Sequence, residues 1–299
     1  MKDEINIFEF SELFPNEEEC IEFLEKERFP DGAIQSPFSG GGSYHIKTRP
    51  GVYKCKDTRK QFSIRNGTIF EESRLPLKKW FFAIFILTSF KKGISSVQLA
   101  KYVGVTQKTA WFMLHRIRYA IEHGTFNQPL GGTVEIDEHY SGGKKKGGKR
   151  GRGAENKTPV IGMVERDGGN IRCEAVSNCK SNTLTPIIRK NVSMDARVMT
   201  DEFAVYNQIQ REGYHREIVN HGRKEYVRGD VHTNTIEGFW SHLKAGIKAI
   251  QIHISPKYLT KYCKEYQFRY NNRKLTDLER FEAWFDRCGG RLTYSDLVV

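Results

Sequence analysis

The sequence is poor in the features of secreted and membrane-spanning proteins. Its six cysteines are scattered without paired spacing, and no segment typical of a signal peptide precedes them, so a disulfide framework is not expected. The most apolar stretch, Trp80–Phe90, is about half of the roughly 20 residues that span a bilayer. This stretch predicts a buried helix, and we expect a cytoplasmic protein without a membrane partner.

Acidic residues are also scarce relative to basic ones. Lysine and arginine total 48 against 36 aspartates and glutamates, which gives a net charge of +12 in 299 residues. Such an excess favours a polyanionic partner, first of all nucleic acid, although many basic proteins are simply soluble. With 38% hydrophobic and 12% aromatic residues, the chain has enough core-forming side chains to fold.

The chain changes character along its length, and no internal repeat is visible. An acidic helix is predicted after Asn16, which can cap it. Residues 30–70 combine glycine and serine clusters with short β-like runs, which predict a small β-hairpin module. Pro76 opens the apolar helix. From about residue 131 an α/β pattern begins, with predicted strands at Thr133–His139, Thr158–Glu165, Ile171–Val176 and Ala196–Thr200.

A helix-turn-helix pattern occupies residues 95–122. Gly104 supplies the turn between two helices, and Thr106 is placed to cap the second one. An ordinary helical hairpin is the alternative, but the second helix is basic, which favours insertion into a DNA major groove. The predicted DNA contacts are Gln107, Lys108, Thr109, Arg116 and Arg118.

A basic, glycine-rich segment separates the first two strands of the α/β region. A charge run is most often a solvated loop, yet a basic loop on a glycine frame can follow a phosphate backbone closely. We expect DNA contact from its basic residues, Lys144, Lys145, Lys146, Lys149, Arg150 and Arg152.

Two aspartates stand where α/β proteins build functional sites. Asp137 lies inside a predicted strand, and Asp201 follows another strand at the point where a helix-like segment begins. Strand ends commonly carry such sites, although a single aspartate is more often a turn or capping residue.

A third carboxylate lies on a predicted amphipathic helix that begins at Thr233. Apolar residues at helical spacing predict one face against the core. Glu237 and Lys244 are seven residues apart, and they share another face with Ser241 and Lys248. On spacing alone, a solvent-exposed acid and base is the commoner interpretation of this face.

The order strand aspartate, strand-end aspartate and helix glutamate, with separations of 64 and 36 residues, resembles the catalytic triad of DDE transposases and retroviral-type integrases. More closely, five dispersed segments resemble the ISXO2-like insertion-sequence transposases. These segments are Gln61–Trp80, Val134–Glu138, Thr200–Tyr206, His232–Ser241 and Phe268–Lys274.

The resemblance, which runs from about Phe29 to Lys274, implies an α/β fold with an RNase H-like catalytic core, a mixed sheet flanked by helices. A small β-rich zinc ribbon and a helix-turn-helix that recognise the element's ends would precede this core. We therefore expect a degenerate zinc-ribbon-like module in residues 1–74, the DNA-binding helix-turn-helix in 75–125, and the RNase H-like DDE domain in 126–299.

The chain departs from the family in the ribbon, which normally carries two Cys-x-x-Cys pairs. The corresponding positions here are Ser36, Ser39, Cys55 and Thr58. Zinc needs about four nitrogen or sulfur ligands, and adding His45 to the one thiolate leaves the site incomplete. Zinc binding is therefore not expected.

The resemblance implies a DNA transposase that binds the inverted-repeat ends of an insertion sequence and performs strand cleavage and strand transfer. Two Mg²⁺ ions, with Mn²⁺ as a substitute, would stabilise the charge on the attacking and leaving oxygens. Asp137 would bridge the ions, with Asp201 and Glu237 each completing one side, and Lys244 would contact a nearby phosphate. Family members carry Glu or Asn as third ligand, so Asn234, one turn before Glu237, is the alternative.

The expected partners are transposon ends and target DNA, which Lys248 would also contact. Joining two ends implies a homo-oligomer assembled on DNA. Two other functions stay open. A DNA-binding descendant without catalysis is disfavoured because all three carboxylates are present. An RNase H-like nuclease that cleaves without joining is disfavoured because a helix-turn-helix suits recognition of particular ends.

Overall fold

The computed structural model describes residues 4–123, 128–142 and 157–298. The chain divides into two compact units, which we call the terminal unit (Met1–Thr125 with Lys274–Val299) and the central unit (Phe126–Arg273). Among the described residues, no helix combines the length and the apolar character that crossing a membrane requires.

The terminal unit begins with helices around a small antiparallel sheet. Asn16 caps the predicted acidic helix, since its side chain accepts a hydrogen bond from Glu19 N at 3.0 Å. The sheet contains the predicted hairpin and one further strand. The elements are α1 (Ile7–Leu13), α2 (Glu17–Arg28), β1 (Ser43–His45), β2 (Val52–Cys55), β3 (Gln61–Ser63), α3 (Leu77–Ser89), α4 (Ser96–Val103) and α5 (Gln107–His123).

The predicted helix-turn-helix is present as a structural motif in α4 and α5. Gly104 ends α4 in the left-handed region, with φ of 63°, which glycine adopts without steric cost. The Thr106 hydroxyl accepts a hydrogen bond from Thr109 N at 3.2 Å, so it caps α5 as expected. Three residues therefore suffice to join the two helices.

The central unit is built on a mixed five-stranded sheet. Its strands are β4 (Thr133–Ser141), β5 (Thr158–Glu165), β6 (Ile171–Ala175), β7 (Arg197–Asp201) and β8 (His215–Val219). Their order is β6-β5-β4-β7-β8. β4, β5 and β6 are antiparallel neighbours, whereas β7 pairs parallel with both β4 and β8. All four predicted strands are present.

Helices cover both faces of this sheet. On one face, Val134 and Ile136 of β4 pack in a cluster with Leu184 and Ile188. On the other face, strand residues from β5 and β6 pack against a second group of helices. The remaining elements are α6 (Ser181–Asn191), α7 (Asn207–Arg211), the short strands β9 (Val227–Arg228) and β10 (Val231–His232), α8 (Asn234–Gly246) and α9 (Leu259–Asn271). The expected RNase H-like core, a mixed sheet between helical layers, is confirmed.

The end of the chain corrects the predicted domain boundary. Helices α10 (Asp277–Phe285) and α11 (Tyr294–Val298) belong to the terminal unit, so the central unit ends at Arg273 rather than at residue 299. Aromatic side chains explain this placement, because the Phe281 ring lies 4.9 Å from Phe10 and the Phe285 ring 5.0 Å from Phe81. The last helices complete the core formed by the first ones.

Candidate active site

Asp137 lies on the central strand β4, on the side that faces α8. The indole Nε1 of Trp240 donates a hydrogen bond to Asp137 Oδ2 at 3.0 Å. Burial raises the pKa of Asp137 to about 6, and the negative charges of Asp201 and Glu237 add to this rise. The carboxylates of Asp201 and Glu237 therefore lie close enough to Asp137 to act on it.

Asp201 ends the neighbouring parallel strand β7. The last residues that pair between β4 and β7 are Glu135 and Met199. Asp137 lies two residues after Glu135, and Asp201 lies two residues after Met199. Asp201 Oδ1 accepts a hydrogen bond from Phe203 N at 2.9 Å. Parallel pairing thus places the two aspartates at the same level of the sheet.

Arg216 of β8 holds the segment that carries Asp201, a role that the sequence did not reveal. Its guanidinium donates to Thr200 Oγ1 at 2.9 Å and to the Asp201 carbonyl oxygen at 3.0 Å. β8 was not among the predicted strands because His-Arg-Glu-Ile-Val carries little apolar pattern. Arg216 is buried, and these hydrogen bonds offset the cost of removing its guanidinium from water.

Glu237 lies in the first turn of α8 and is exposed. Its Oε1 accepts a hydrogen bond from Thr233 Oγ1 at 3.1 Å. The predicted division of the helix is confirmed in its first three turns, since Ile236, Phe239, Trp240 and Leu243 are buried. The opposite face is exposed and holds Asn234, Glu237, Ser241, Lys244 and Lys248.

Lys244 lies near His139 of β4. Burial of His139 and, second, the positive charge of Lys244 lower the pKa of His139 to about 4. His139 stands two residues after Asp137 on β4, and its ring centroid is 5.4 Å from that of Trp240. A cation therefore faces the same part of the sheet as the triad, where it can meet a phosphate.

A buried ion-pair network fixes the start of α8. Glu135 is fully buried on β4, and its carboxylate accepts from Arg166 Nε at 2.6 Å, Thr235 Oγ1 at 2.9 Å and Ile236 N at 3.0 Å. Arg166 also donates to the His232 carbonyl oxygen at 2.7 Å. Glu135 lies on the same side of β4 as Asp137 because side chains alternate along a strand, but the sequence did not reveal this network, since its members are distant along the chain.

The carboxylates suit a hard divalent cation, since oxygen is the ligand that Mg²⁺ prefers. Their mutual effect on Asp137 shows an excess of negative charge that such a cation would neutralise. Among the described residues, no group of three or more His, Cys, Asp or Glu side chains is spaced to hold a metal ion. A cation held here would take one or two carboxylates from the chain and its other ligands from water and phosphate, as Mg²⁺ commonly does.

The predicted DNA-contact residues of α5 fall into two groups. Gln107 and Lys108 are exposed in its first turn, and Thr109 is half-buried. Arg116 and Arg118 are 5% and 1% exposed, and Arg116 Nε donates to the Leu292 carbonyl oxygen at 2.9 Å. The prediction that these two arginines contact DNA is therefore wrong, because they are buried inside the terminal unit.

Two other sets of predicted contacts are placed differently. Lys248 is exposed, in the single π-helical turn that follows α8. The basic loop residues Lys144, Lys145, Lys146, Lys149, Arg150 and Arg152 lie outside the described residues.

The four positions that correspond to zinc ligands converge in the terminal unit. Cys55 Sγ lies 3.4 Å from Ser39 Oγ and accepts a hydrogen bond from Thr58 N at 3.4 Å. Hydrogen bonds from Ser36, Ser39 and Thr58 lower the pKa of Cys55 to about 6. The cluster consists of one thiol and three hydroxyls. This donor set lacks the sulfur ligands of a zinc site.

Comparison with known proteins agrees with this architecture. The ISXO2-like transposase domain family matches residues 129–271. An uncharacterized protein in transposable element ISH50 of Halobacterium salinarum is 32% identical over 245 residues, which cover 76% of this chain and 80% of that protein. An uncharacterized transposase-like protein of Haemophilus influenzae is 31% identical over 100 residues, 33% of this chain and 80% of that one.

A distant structural likeness also exists, to a simian T-cell lymphotropic virus intasome in complex with PP2A regulatory subunit B56 gamma. It covers 73% of this chain and 69% of that chain, at 10% identity and a TM-score of 0.26, too low to bear on function. The sequence match to the Halobacterium protein extends over most of both chains, and the family match coincides with the central unit. The chain belongs to the ISXO2-like transposase family.

Proposed function

We propose that this protein binds the inverted-repeat ends of an insertion sequence, cuts the DNA there and joins the freed ends to new DNA. The observation that supports the proposal is the position of Asp137 and Asp201 at the same level of two neighbouring parallel strands, against helix α8, which bonds Asp137 and carries Glu237 in its first turn. A strand, a strand end and a helix supply these side chains.

Asp137 and Asp201, with Glu237 beside them, are the residues that would hold divalent cations. Bound there, the cations would stabilise the charge that develops on the attacking and leaving oxygens of a phosphodiester. Because the pKa of Asp137 is raised to about 6, a bound cation would favour its ionised form, and ionisation would in turn favour cation binding. Lys244 would bind a neighbouring phosphate of the DNA, because it is exposed on the same face as Glu237.

DNA recognition is assigned to the first turn of α5. Gln107 and Lys108 are exposed there, and the N-terminal residues of a recognition helix are those that meet base edges. The basic loop Lys144–Arg152 and the exposed Lys248 would add contacts to phosphates. Neutralising the loop should weaken binding to all sequences alike and reduce its dependence on salt.

The first prediction tests the catalytic proposal with labelled element ends and Mg²⁺. Asp137→Asn, Asp201→Asn and Glu237→Gln each keep side-chain volume but remove a negative ligand. We expect both strand cleavage and strand transfer to fall by several orders of magnitude, while end binding is nearly unchanged. Product gels and a binding assay on the same preparations measure the two effects.

Asp167→Asn is the matched control. Asp167 is exposed in the turn after β5 with φ of 58°, a conformation that asparagine tolerates, so this variant should keep full activity. Asn234→Ala should cost less than Glu237→Gln. If Glu237→Gln were active and Asn234→Ala inactive, the third ligand would be Asn234.

The same assay separates the rival functions. Cleaved ends without joined products would identify a nuclease. Specific end binding without either product, in the presence of Mg²⁺ or Mn²⁺, would identify a descendant that binds DNA but has lost catalysis.

A further inference from the structure

Helix α8 is tied to strand β4 at two points on one face of the sheet. Glu135 bonds the backbone N–H of Ile236, and Asp137 bonds the indole of Trp240. Two residues along a strand advance about 6.6–6.8 Å, and four residues along an α-helix advance about 6 Å. The two spacings nearly match, so both bonds can form at once, and together they set the register of α8 on the strand.

The bond at Asp137 is made in a closely packed place. Trp240 is 3% exposed. Its ring lies over Gly162, the cross-strand partner of Asp137, where an added Cβ would come within 2.5 Å of Trp240 Cζ2. Glycine is therefore needed at 162 for the indole to lie this close to the strand.

We propose that Trp240 is a positioning residue that fixes the orientation of the Asp137 carboxylate for cation binding. Its N–H donates to Oδ2 and so restrains the rotation of the carboxylate before a cation binds. This assignment rests on the function proposed above.

The chemistry of the indole suits this role. A neutral N–H donor holds one oxygen of the Asp137 carboxylate in place without adding charge to the site. An indole N–H is a donor only and neither titrates nor binds a metal ion. Trp240 can therefore hold the carboxylate without competing for the cation, which a histidine or a lysine at this position would do by ligation or by charge.

The test is Trp240→Phe in the full-length protein, with Trp80→Phe as matched control. Trp80 is equally buried, at 2% exposure, and its Nε1 donates to Ser73 Oγ at 3.0 Å in the terminal unit. Both variants remove one buried indole N–H and keep an aromatic ring. Mn²⁺ affinity, measured by electron paramagnetic resonance without DNA, and the Mg²⁺ concentration for half-maximal strand cleavage are the two measurements.

We expect Trp240→Phe to weaken Mn²⁺ binding and raise the half-maximal Mg²⁺ concentration by about tenfold or more, the size of a hydrogen bond to a charged group. The cleavage rate at saturating Mg²⁺ should be largely restored. Trp80→Phe should change neither value. Equal Mn²⁺ affinity and equal Mg²⁺ dependence in the two variants would overturn the proposal.

A third measurement covers the case in which Trp240→Phe does not fold. The indole N–H resonances of the unsubstituted protein, assigned with Trp80→Phe, Trp111→Phe and Trp284→Phe, are recorded while Mn²⁺ is added. The Trp240 signal should broaden first, and broadening of all four together would overturn the proposal. If the protein bound Mn²⁺ beside Trp240 but cut no DNA, the proposed function would fail while the positioning role stood.

Discussion

At the residue scale, Asp137 combines a functional requirement with a cost to stability. Burial and the charges of Asp201 and Glu237 raise the pKa of Asp137 from 3.8 to about 6. An acid whose pKa is higher in the folded than in the unfolded state stabilises the fold while it is protonated. That contribution is complete below about pH 4 and is lost as the pH rises through 6.

The second prediction follows from this sign. In the absence of divalent cations, Asp137→Asn should be more stable than the parent at pH 7, by at most about 3 kcal/mol, the equivalent of a shift of roughly two pKa units. The difference should shrink as the pH falls from 6 to 4, where the parent becomes neutral too. Urea unfolding at several pH values with a chelator measures it.

Adding Mg²⁺ provides the control for this prediction. The cation should stabilise the parent by binding its folded state and should leave Asp137→Asn nearly unchanged. A variant that was less stable than the parent at pH 7 with chelator present would contradict the assigned charge crowding.

At the element scale, the four positions that the family resemblance aligns with zinc ligands converge around Cys55. Ser36, Ser39 and Thr58 surround Cys55, and their hydrogen bonds lower its pKa to about 6. Hydrogen bonds to the Cys55 sulfur thus connect the segment that carries Ser36 and Ser39 with the one that carries Thr58. Because the four positions already converge, thiols at all of them would meet the ligand requirement of zinc.

The third prediction tests this convergence by Ser36→Cys, Ser39→Cys and Thr58→Cys combined. The triple variant should hold one zinc per chain, and the parent should hold none, as measured by elemental analysis after dialysis. A chelator should unfold the module only in the variant. The same variant with Cys55→Ser added is the control and should bind zinc far more weakly, because one of four ligands is gone.

The α5 helix differs between its two ends. Its first turn exposes Gln107 and Lys108, whereas Met113–Arg118, Ala120 and Ile121 are buried. A buried arginine stabilises through its contacts: Arg116 bonds the Leu292 carbonyl oxygen and stacks over the Phe112 ring at 4.8 Å. Recognition and stability are thus assigned to different turns of one helix.

The fourth prediction separates these two roles. Lys108→Ala should weaken binding to element ends and leave thermal stability nearly unchanged, whereas Arg116→Ala should lower the free energy of unfolding by about 2–3 kcal/mol. Fluorescence anisotropy with end DNA and thermal denaturation give the two values. Lys26→Ala, an exposed lysine on the acidic helix α2, is the control and should change neither. Normal end binding by Lys108→Ala would remove Lys108 from the DNA contacts.

At the scale of the whole molecule, the chain leaves the terminal unit, forms the central unit and returns. The returning segment supplies Phe281, Trp284 and Phe285 to the terminal unit. Trp284 is fully buried, with its ring 5.1 Å from Phe285 and 6.2 Å from Phe70. Stability of the N-terminal helices therefore depends on residues near the end of the chain.

The fifth prediction locates this dependence with hydrogen exchange. Trp284→Ala should cost about 3–5 kcal/mol, as truncation of a buried aromatic does, and should speed exchange in α1, α3 and α10 while β4–β6 stay protected. Leu184→Ala, in the α6 cluster of the central unit, should do the reverse. Faster exchange of β4–β6 in Trp284→Ala would show instead that the last helices support the catalytic core.

The sequence by itself determined the local elements and the residue types of the site. The strands β4 to β7, the cap at Asn16, the turn at Gly104 and the two faces of α8 were all predicted, because each depends on periodicity or hydrogen bonds within a few residues. The family resemblance selected Asp137, Asp201 and Glu237 by order and spacing, and their catalytic roles stay a prediction.

Only the tertiary structure decided what each polar side chain meets. Arg116 was predicted from the sequence to contact DNA, but it donates a hydrogen bond to a carbonyl oxygen 176 residues away. Glu135 accepts a hydrogen bond from Arg166, which is 31 residues away. The return of residues 274–299 to the terminal unit could likewise not be predicted. The pattern of an amphipathic helix indicates that one face packs, but not against which core. A charge is stable when buried only beside a partner, and that partner is chosen by the fold rather than by neighbours in the chain.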